Sequence, residues 1–439
     1  RIEKLFPTLE ADGYRSFGGF ARVGYDPGEG VRLDIGALAA RTRAQYDAAT
    51  GAFPDTPSET ERKFGQIWAR ARFDSFDNRL THSVTLSGSR TERTFWDVSY
   101  RAPITPANTT RTRSDFVGDR IGAEYQGDLK LGMFGSLIFG GRLERESAAT
   151  SNQNLQPVPG PTTSTLDAHQ ITRSAFALWQ LPVGERLNLS LGGRIDDVKD
   201  ADRFATWRAT ASYRLPVIET KLRASAGTGG KAPTLFQLYS PQFGNASLQP
   251  ERSFGYDVGV DQPLFDGRLT LSATAFNNRF RNLIQFGGPA GCATGQTGCY
   301  FNTARAETNG VEAEAKATLI EGYLSATATY TNLRAKDRLT GKTLARRPTD
   351  VGRLALQITP VASWLIEPRL TLVSKRYSGA NETQRLAPYA RLDVHTQYQI
   401  NQTWKIHARV ENLANARYEE VFNYGTTGRA FYGGWTATW

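Results

Sequence analysis

The sequence predicts an all-β protein, an antiparallel β-barrel that crosses a membrane with its strands. Three observations carry that prediction. Apolar and polar residues alternate with period two along most of the chain, the connections sort into short and long, and the last strand ends on an aromatic residue. Composition sets the frame: 439 residues, 39% hydrophobic, with a mean hydropathy of −0.44. No run approaches the ~18 consecutive apolar residues of a spanning helix, which excludes a helical membrane protein. A barrel needs no such run, because only alternate residues face lipid. Composition by itself leaves a soluble protein and a barrel both open.

In chain order, the first strand is expected near residues 14–25 and runs into a tight link at 26–29. Further tight links are expected at 74–78, 182–185, 216–218, 263–267, 359–363 and 401–403. Alternation is plainest after them. Leu187, Leu189 and Leu191 are interleaved with Asn188 and Ser190, and Leu269, Leu271, Ala273 and Ala275 with Arg268, Thr270, Ser272 and Thr274. Leu324, Ala326, Ala328 and Tyr330 alternate with Ser325, Thr327 and Thr329, and Ile406, Ala408 and Val410 with Lys405, His407, Arg409 and Glu411. A soluble sandwich explains such alternation equally well, so the connections decide. Between the tight links lie long polar stretches at about 42–60, 93–111, 149–167, 228–250, 286–300, 334–344 and 417–427. Short turns on one rim and long loops on the other are the pattern of an outer-membrane barrel. At the C-terminal end, Phe431, Gly433, Trp435, Ala437 and Trp439 share one face, while Ala430, Tyr432, Gly434, Thr436 and Thr438 share the other. An aromatic outer face and a polar inner face suit a wall between lipid and water.

Lys and Arg exceed Asp and Glu by ten. The arginines are spread singly rather than gathered into a stripe, which argues against a nucleic-acid partner. Cys292 and Cys299, flanked by glycines, are expected to form a loop-tip disulfide in an oxidising compartment; a metal pair is the alternative, without a nearby His or third Cys. His82, His169, His395 and His407 show no metal-ligand spacing. Asp196-Asp197 and Glu419-Glu420 are adjacent pairs whose side chains diverge on a strand, so no enzyme is expected. Gly229-Gly230-Lys231 fails the phosphate-loop pattern, with Ser225 at its first glycine and Ala232 at its hydroxyl position. The chain begins at Arg1 without a signal peptide, as a mature or trimmed product would.

The alternation yields roughly nineteen strands, an odd number where single-chain barrels usually close on an even one. The first and last both end at the short-turn rim, so some N-terminal strands are expected to lie outside this chain.

Four segments carry a family resemblance. They are Gly227-Thr228-Gly229-Gly230-Lys231-Ala232-Pro233-Thr234-Leu235-Phe236 with Asn245-Ala246-Ser247-Leu248-Gln249-Pro250-Glu251-Arg252; Phe276-Asn277-Asn278-Arg279-Phe280-Arg281-Asn282; Asn302-Thr303-Ala304-Arg305-Ala306-Glu307-Thr308-Asn309-Gly310; and Glu411-Asn412-Leu413-Ala414-Asn415-Ala416-Arg417-Tyr418. In this order the chain resembles the barrel portion of TonB-dependent outer-membrane receptors, in particular those that take up cobalamin. The resemblance covers about residues 10–439 and is specific over the last 220. It implies a 22-stranded barrel in the bacterial outer membrane, plugged by an N-terminal domain on which the TonB complex pulls. That plug and about three first strands are absent from this sequence, leaving 1–439 as an incomplete barrel domain whose missing parts precede it or belong to a second chain. The implied function is uptake of a large scarce nutrient, cobalamin or a related corrinoid. A ferric siderophore is the alternative substrate, and a structural barrel module that binds a protein partner is the alternative from another class. The resemblance further implies that Tyr424 and Arg346 contact substrate, and that Glu10, Asp12, Tyr46, Asp47 and Asp55 hold a structural calcium ion on the extracellular loops. Solvated rim charge is the plain alternative for those acids.

Overall fold

The computed structural model describes residues 12–28, 30–47, 56–100, 109–155, 162–199 and 201–438. Its strands are, in order, β1 (Tyr14–Gly28), β2 (Val31–Tyr46), β3 (Ser58–Ser75), β4 (Leu80–Tyr100), β5 (Thr109–Lys130), β6 (Ser136–Asn154), β7 (Thr162–Val183), β8 (Leu187–Val198), β9 (Arg203–Arg214), β10 (Lys221–Lys231), β11 (Glu251–Leu264), β12 (Leu269–Gly287), β13 (Cys299–Ile320), β14 (Leu324–Asp337), β15 (Asp350–Val361), β16 (Trp364–Val373), β17 (Arg376–Tyr377), β18 (Arg385–Leu386), β19 (Tyr389–Gln399), β20 (Trp404–Glu411) and β21 (Ala430–Ala437). β17 and β18 pair only with each other. The other nineteen form one antiparallel sheet in which each strand pairs with the next, β16 passing directly to β19. This is the wall the alternation predicts. Among the described residues β1 and β21 do not pair with each other, and every residue of β1 is exposed.

Register sorts the side chains into two faces. Val23, Ile35, Ala69, Leu86 and Ala123 stand opposite one another across β1 to β5, and Trp435, Ile406 and Tyr398 do so across β21, β20 and β19. This apolar set marks the outward face. The opposite, inward face carries ion pairs. Asp34 is held between Arg22 (2.7 Å) and Arg32 (3.1 Å), Asp196 accepts from Arg194 (2.8 Å) and Ser174 (2.6 Å), and Asp393 pairs with Arg391 at 3.0 Å.

The outward face has a sharp upper limit. Counted up from the short turn of each strand, the first outward Asp, Glu, Lys or Arg on β2 to β9 is Arg41, Lys63, Arg90, Asp119, Arg145, Arg173, Asp197 and Arg203, nine to twelve residues up in every case. Arg252, Arg279 and Arg334 mark the same height on β11, β12 and β14. Ten residues at ~3.3 Å rise and ~40° tilt climb ~25 Å, the height of a lipid-facing apolar band. Below that line an uncompensated charge would lose its hydration; above it the wall stands in headgroups and water.

This limit explains where the strands outrun the expected loops. β4, β5, β6 and β7 run on through much of the polar stretches at 93–111 and 149–167. Above the band both faces are wet, so alternation fades while the ladder continues, as in Ser151 opposite Asp115 and Gln153 opposite Arg113. Two tight turns were not legible as turns. One is 131–135, where Gly132 and Gly135 take positive φ around apolar residues and Trp179 donates to the Phe134 carbonyl (2.8 Å); the other is 321–323. The sorting of connections also has an exception: β8 and β9 are joined on the long-loop rim by only 199–202. Both strands stop at twelve residues, and the 232–250 segment folds over them, burying Val198, Ala201 and Phe204 against Leu238 and Leu248.

Replacing Leu191, outward in the lower wall, by Arg should destabilise the folded protein by ~2–4 kcal/mol in lipid vesicles, against ~0–1 kcal/mol for Ala149→Arg above the limit. Equal costs in a denaturant titration would remove the assigned boundary.

Candidate functional site

The long-loop rim is built by side chains that stitch neighbouring loops together. On one sector, a helix at Leu235–Tyr239 starts with a reciprocal cap, Thr234 accepting from the Gln237 backbone and Gln237 from that of Thr234. Phe236 packs by ring contact against inward-facing Phe116 (6.1 Å) and against Tyr300 (6.4 Å). The Asn302 side chain accepts from the Gln249 backbone (2.6 Å) and donates to the carbonyls of Gln249 and Asn282 (2.8 Å each), while Asn245 donates to Tyr300 (2.9 Å). Three of the four resemblance segments are thus hydrogen-bonded into one unit. The Cys292–Cys299 disulfide is present, with a Cα–Cα distance of 5.7 Å, and pins the loop that delivers Tyr300.

A second sector joins the segments at 338–349, 374–388 and 412–429. In the first, Asp337 accepts from the backbones of Leu339 (2.7 Å) and Thr340 (3.1 Å), and the chain turns back at Gly341, whose φ of +71° favours glycine. Arg346 is exposed, and its backbone donates to the Tyr377 carbonyl of the β17–β18 hairpin at 2.6 Å. Glu382 ties the same two segments, accepting from the Thr343 backbone (3.0 Å) and hydroxyl (2.8 Å), with Lys342 at 3.6 Å. Those Thr343 hydrogen bonds hold the Glu382 carboxyl below the ordinary carboxylate range, with Lys342 adding to the effect.

The third segment is folded by Asn412, which is 2% exposed. Its backbone donates to Asp393 (2.8 Å), and its side chain exchanges hydrogen bonds with Ala416 (2.8 and 2.9 Å). Tyr418 stacks on Tyr389 at 4.0 Å, and Arg376 lies 5.3 Å over the Tyr389 ring and donates to the Glu419 carbonyl (2.7 Å). Phe422 donates to Ser378 Oγ at 2.9 Å, which fixes the turn in which the Tyr424 backbone donates to Val421 (3.0 Å). Tyr424 itself is 51% exposed. Arg346 and Tyr424, far apart in sequence, therefore sit on loops that share one support, the 374–388 segment. The sequence analysis does not include 374–388 among the long loops, although Ser378-Gly379-Ala380-Asn381 is a turn signal within it.

The acidic corner is partly described. Gly13 and Gln45 exchange hydrogen bonds (2.8 and 2.9 Å), which brings Asp12 alongside Tyr46 and Asp47. Asp47 accepts from the Thr56 backbone at 3.0 Å. The Tyr46 hydroxyl donates to Asp97, an acid that sequence spacing did not reveal. Glu10 and Asp55 lie outside the described residues, and among those described no three His, Cys, Asp or Glu side chains gather as metal ligands.

A family model described as TonB dependent receptor-like, beta-barrel matches residues 6–413. A vitamin B12 transporter BtuB from Photobacterium profundum is 25% identical over 429 residues, which cover 98% of this chain and 65% of that protein. One from Vibrio cholerae is 29% identical over 248 residues, 54% of this chain and 38% of that protein. The chain thus spans less than two thirds of the length of these relatives. Among solved structures, the copper transporter OprC superposes with a TM-score of 0.81 at 17% identity, over 97% of this chain and 71% of that one. The ferric-catecholate import receptor Fiu from K12 E. coli gives 0.76 at 14%, over 98% and 75%. At such identities these two structures speak for the fold alone.

Because Glu382 titrates below its ordinary range, its clamp on Thr343 should be fully present above that range and be lost as pH falls through the lowered value. The protection factor of the Thr343 amide, its exchange relative to the unstructured peptide at the same pH, should then fall on acidification, and Glu382→Gln should abolish that pH dependence; a protection profile unchanged by the substitution would dismiss the clamp.

Proposed function

The chain belongs to the TonB-dependent receptor β-barrel family and is an integral outer-membrane protein, and from that premise we propose that it forms the wall of a TonB-energised importer for a large, scarce nutrient, cobalamin or a related corrinoid. The observation that carries this reading is the pairing of an exposed aromatic, Tyr424, with an exposed guanidinium, Arg346, on loops braced by one segment. An aromatic face packs on a flat macrocycle, and a guanidinium reaches amide or phosphate oxygens around its edge. The vitamin B12 transporters among the relatives support the corrinoid. A siderophore is the second reading, since a ferric-catecholate import receptor shares the fold.

The exposed edges of β1 and β21 bear on the rest of the machine. In lipid, each unsatisfied backbone group costs several kcal/mol, so the proposal includes further strands to close the wall and a plug to seal its wide lumen, through which TonB acts. Calcium belongs to the proposal as a structural ion. Asp12, Tyr46 and Asp47 at the rim where β1 begins and β2 ends would hold it, with Glu10 and Asp55, and the Tyr46 hydroxyl braces the corner by donating to Asp97. The ion would offset the repulsion of clustered carboxylates.

Deleting the gene should abolish uptake of radiolabelled cobalamin and leave ferric-siderophore uptake intact; the reverse would select the second reading, and loss of neither would end both. Tyr424→Ala and Arg346→Ala should each weaken cobalamin binding about tenfold, ~1.4 kcal/mol, at unchanged barrel yield. Binding of equal strength would release both residues from the role. Removing calcium with a chelator should weaken binding reversibly, whereas indifference to chelator would leave the acids as loop charge.

A further inference from the structure

The inner face also holds like charges side by side. Arg62 on β3 and Arg93 on β4 point into the lumen and stand directly opposite in register. Both are exposed, and neither makes an ion pair among the described residues. Two acids of the same face are engaged elsewhere: Asp97 accepts from the Tyr46 hydroxyl, and Glu146 pairs with Arg120 at 3.0 Å. Side chains directly opposite begin about 4.5–5.5 Å apart, where like charges repel. The two arginines are splayed accordingly. Arg62 lies 5.6 Å over Phe64, two residues towards the short turn, and Arg93 lies 5.6 Å over Phe95, two residues towards the long-loop rim. A ring face holds an exposed cation only weakly. An oxyanion between two guanidiniums receives bidentate, charge-assisted hydrogen bonds and removes the repulsion.

The pair is continuous with the rim. Phe116 stands opposite Arg93 on β5, meets Phe95 edge to face at 5.9 Å and packs against Phe236 of the rim helix. One row across the inner wall therefore runs from Arg62 through Arg93 to Phe116, above the outward charge limit that Lys63 and Arg90 mark on the same strands. Cations beside aromatic faces suit a ligand that joins an anionic group to a flat or apolar body. We propose that Arg62 and Arg93 form a station in the mouth of the lumen for the phosphodiester of the imported corrinoid, whose adjoining base would lie against Phe95 and Phe116. An anion drawn between the guanidiniums would pull both off their rings. The station rests on the corrinoid reading and is separate from Tyr424 and Arg346, which sit on the 412–429 and 338–349 loops; the ligand would engage it after leaving those loops.

The test follows radiolabelled cobalamin in cells carrying the intact gene, with cobinamide, the same corrin without the phosphodiester and base, as control. Binding is read in de-energised cells and uptake after energy is restored. Arg62→Ala/Arg93→Ala should bind cobalamin within about twofold of wild type and import it about tenfold more slowly at saturation, while cobinamide uptake is unchanged. Arg62→Lys/Arg93→Lys, which keeps both charges, should recover most of the cobalamin rate. Heat-dependent gel mobility of outer-membrane extracts reports that each variant folds, and Arg62→Gln/Arg93→Gln takes the place of the alanine pair if that pair does not. Undiminished cobalamin uptake by the folded double variant, equal loss of both corrinoids, or no recovery with lysine would overturn the station. A wild type that binds neither corrinoid would instead remove the corrinoid reading, and the station with it.

Discussion

A chain that meets lipid on one side must pair every backbone N–H and C=O within itself, and strands in a continuous ladder are one of two ways to do so. That constraint orders the rest of the structure. Pairing fixes register, register fixes which side chains share a face, and a period of two hands alternate residues to lipid and to the lumen. The wall is thin, with no interior of its own. What serves as a core in a globular domain is here divided between lipid and a few buried sites at the rim, such as the cluster of Phe204, Leu238 and Leu248 over the short β8–β9 hairpin.

The lumen face shows what the same period does on the other side. Carboxylates there are the buried partners and arginines the exposed ones: Asp34 is 5% exposed between two arginines, and Asp196 is 8% exposed against Arg194 and Ser174. A short acid cannot reach past its neighbours to water, whereas a long guanidinium covers it and keeps its own head solvated. Individually such partly exposed pairs contribute little. Their recurrence from β1 to β20 keeps the inner wall polar.

Sequence captured the wall well because its signal is local. The alternation at Leu269–Ala275, the turn residues, the number of strands and the cysteine pair are each contained within a few neighbouring positions. What escaped it depends on partners far along the chain. Asp97 is bonded to Tyr46 across 51 residues, and no spacing rule links them. The helix at Leu235–Tyr239 is a single turn whose cap pattern, Thr234 to Gln237, lies inside a stretch that reads as polar loop. The hairpin of β17 and β18 is two residues a side, too short for periodicity to register. The outward charge limit was written in the sequence, but only the register shows which of Arg142 and Arg145 faces lipid.

The residues that carry the family resemblance and those assigned to substrate have opposite structural roles. Asn302, Asn245, Asn412 and Asn415 spend their side chains on backbone groups of neighbouring loops, and Asn412 and Asn415 also adopt positive φ, where asparagine is among the best tolerated residues. Exchanging Asn412, the buried one, would strand donors and acceptors at a cost of ~1–3 kcal/mol. Tyr424 and Arg346 are held by their backbones, and their side chains project into solvent from a frame that does not depend on them. A rim can therefore keep its asparagines and its fold while its exposed tips change to suit another ligand. The recognisable segments specify a receptor-type rim, and that frame leaves its exposed tips free to vary.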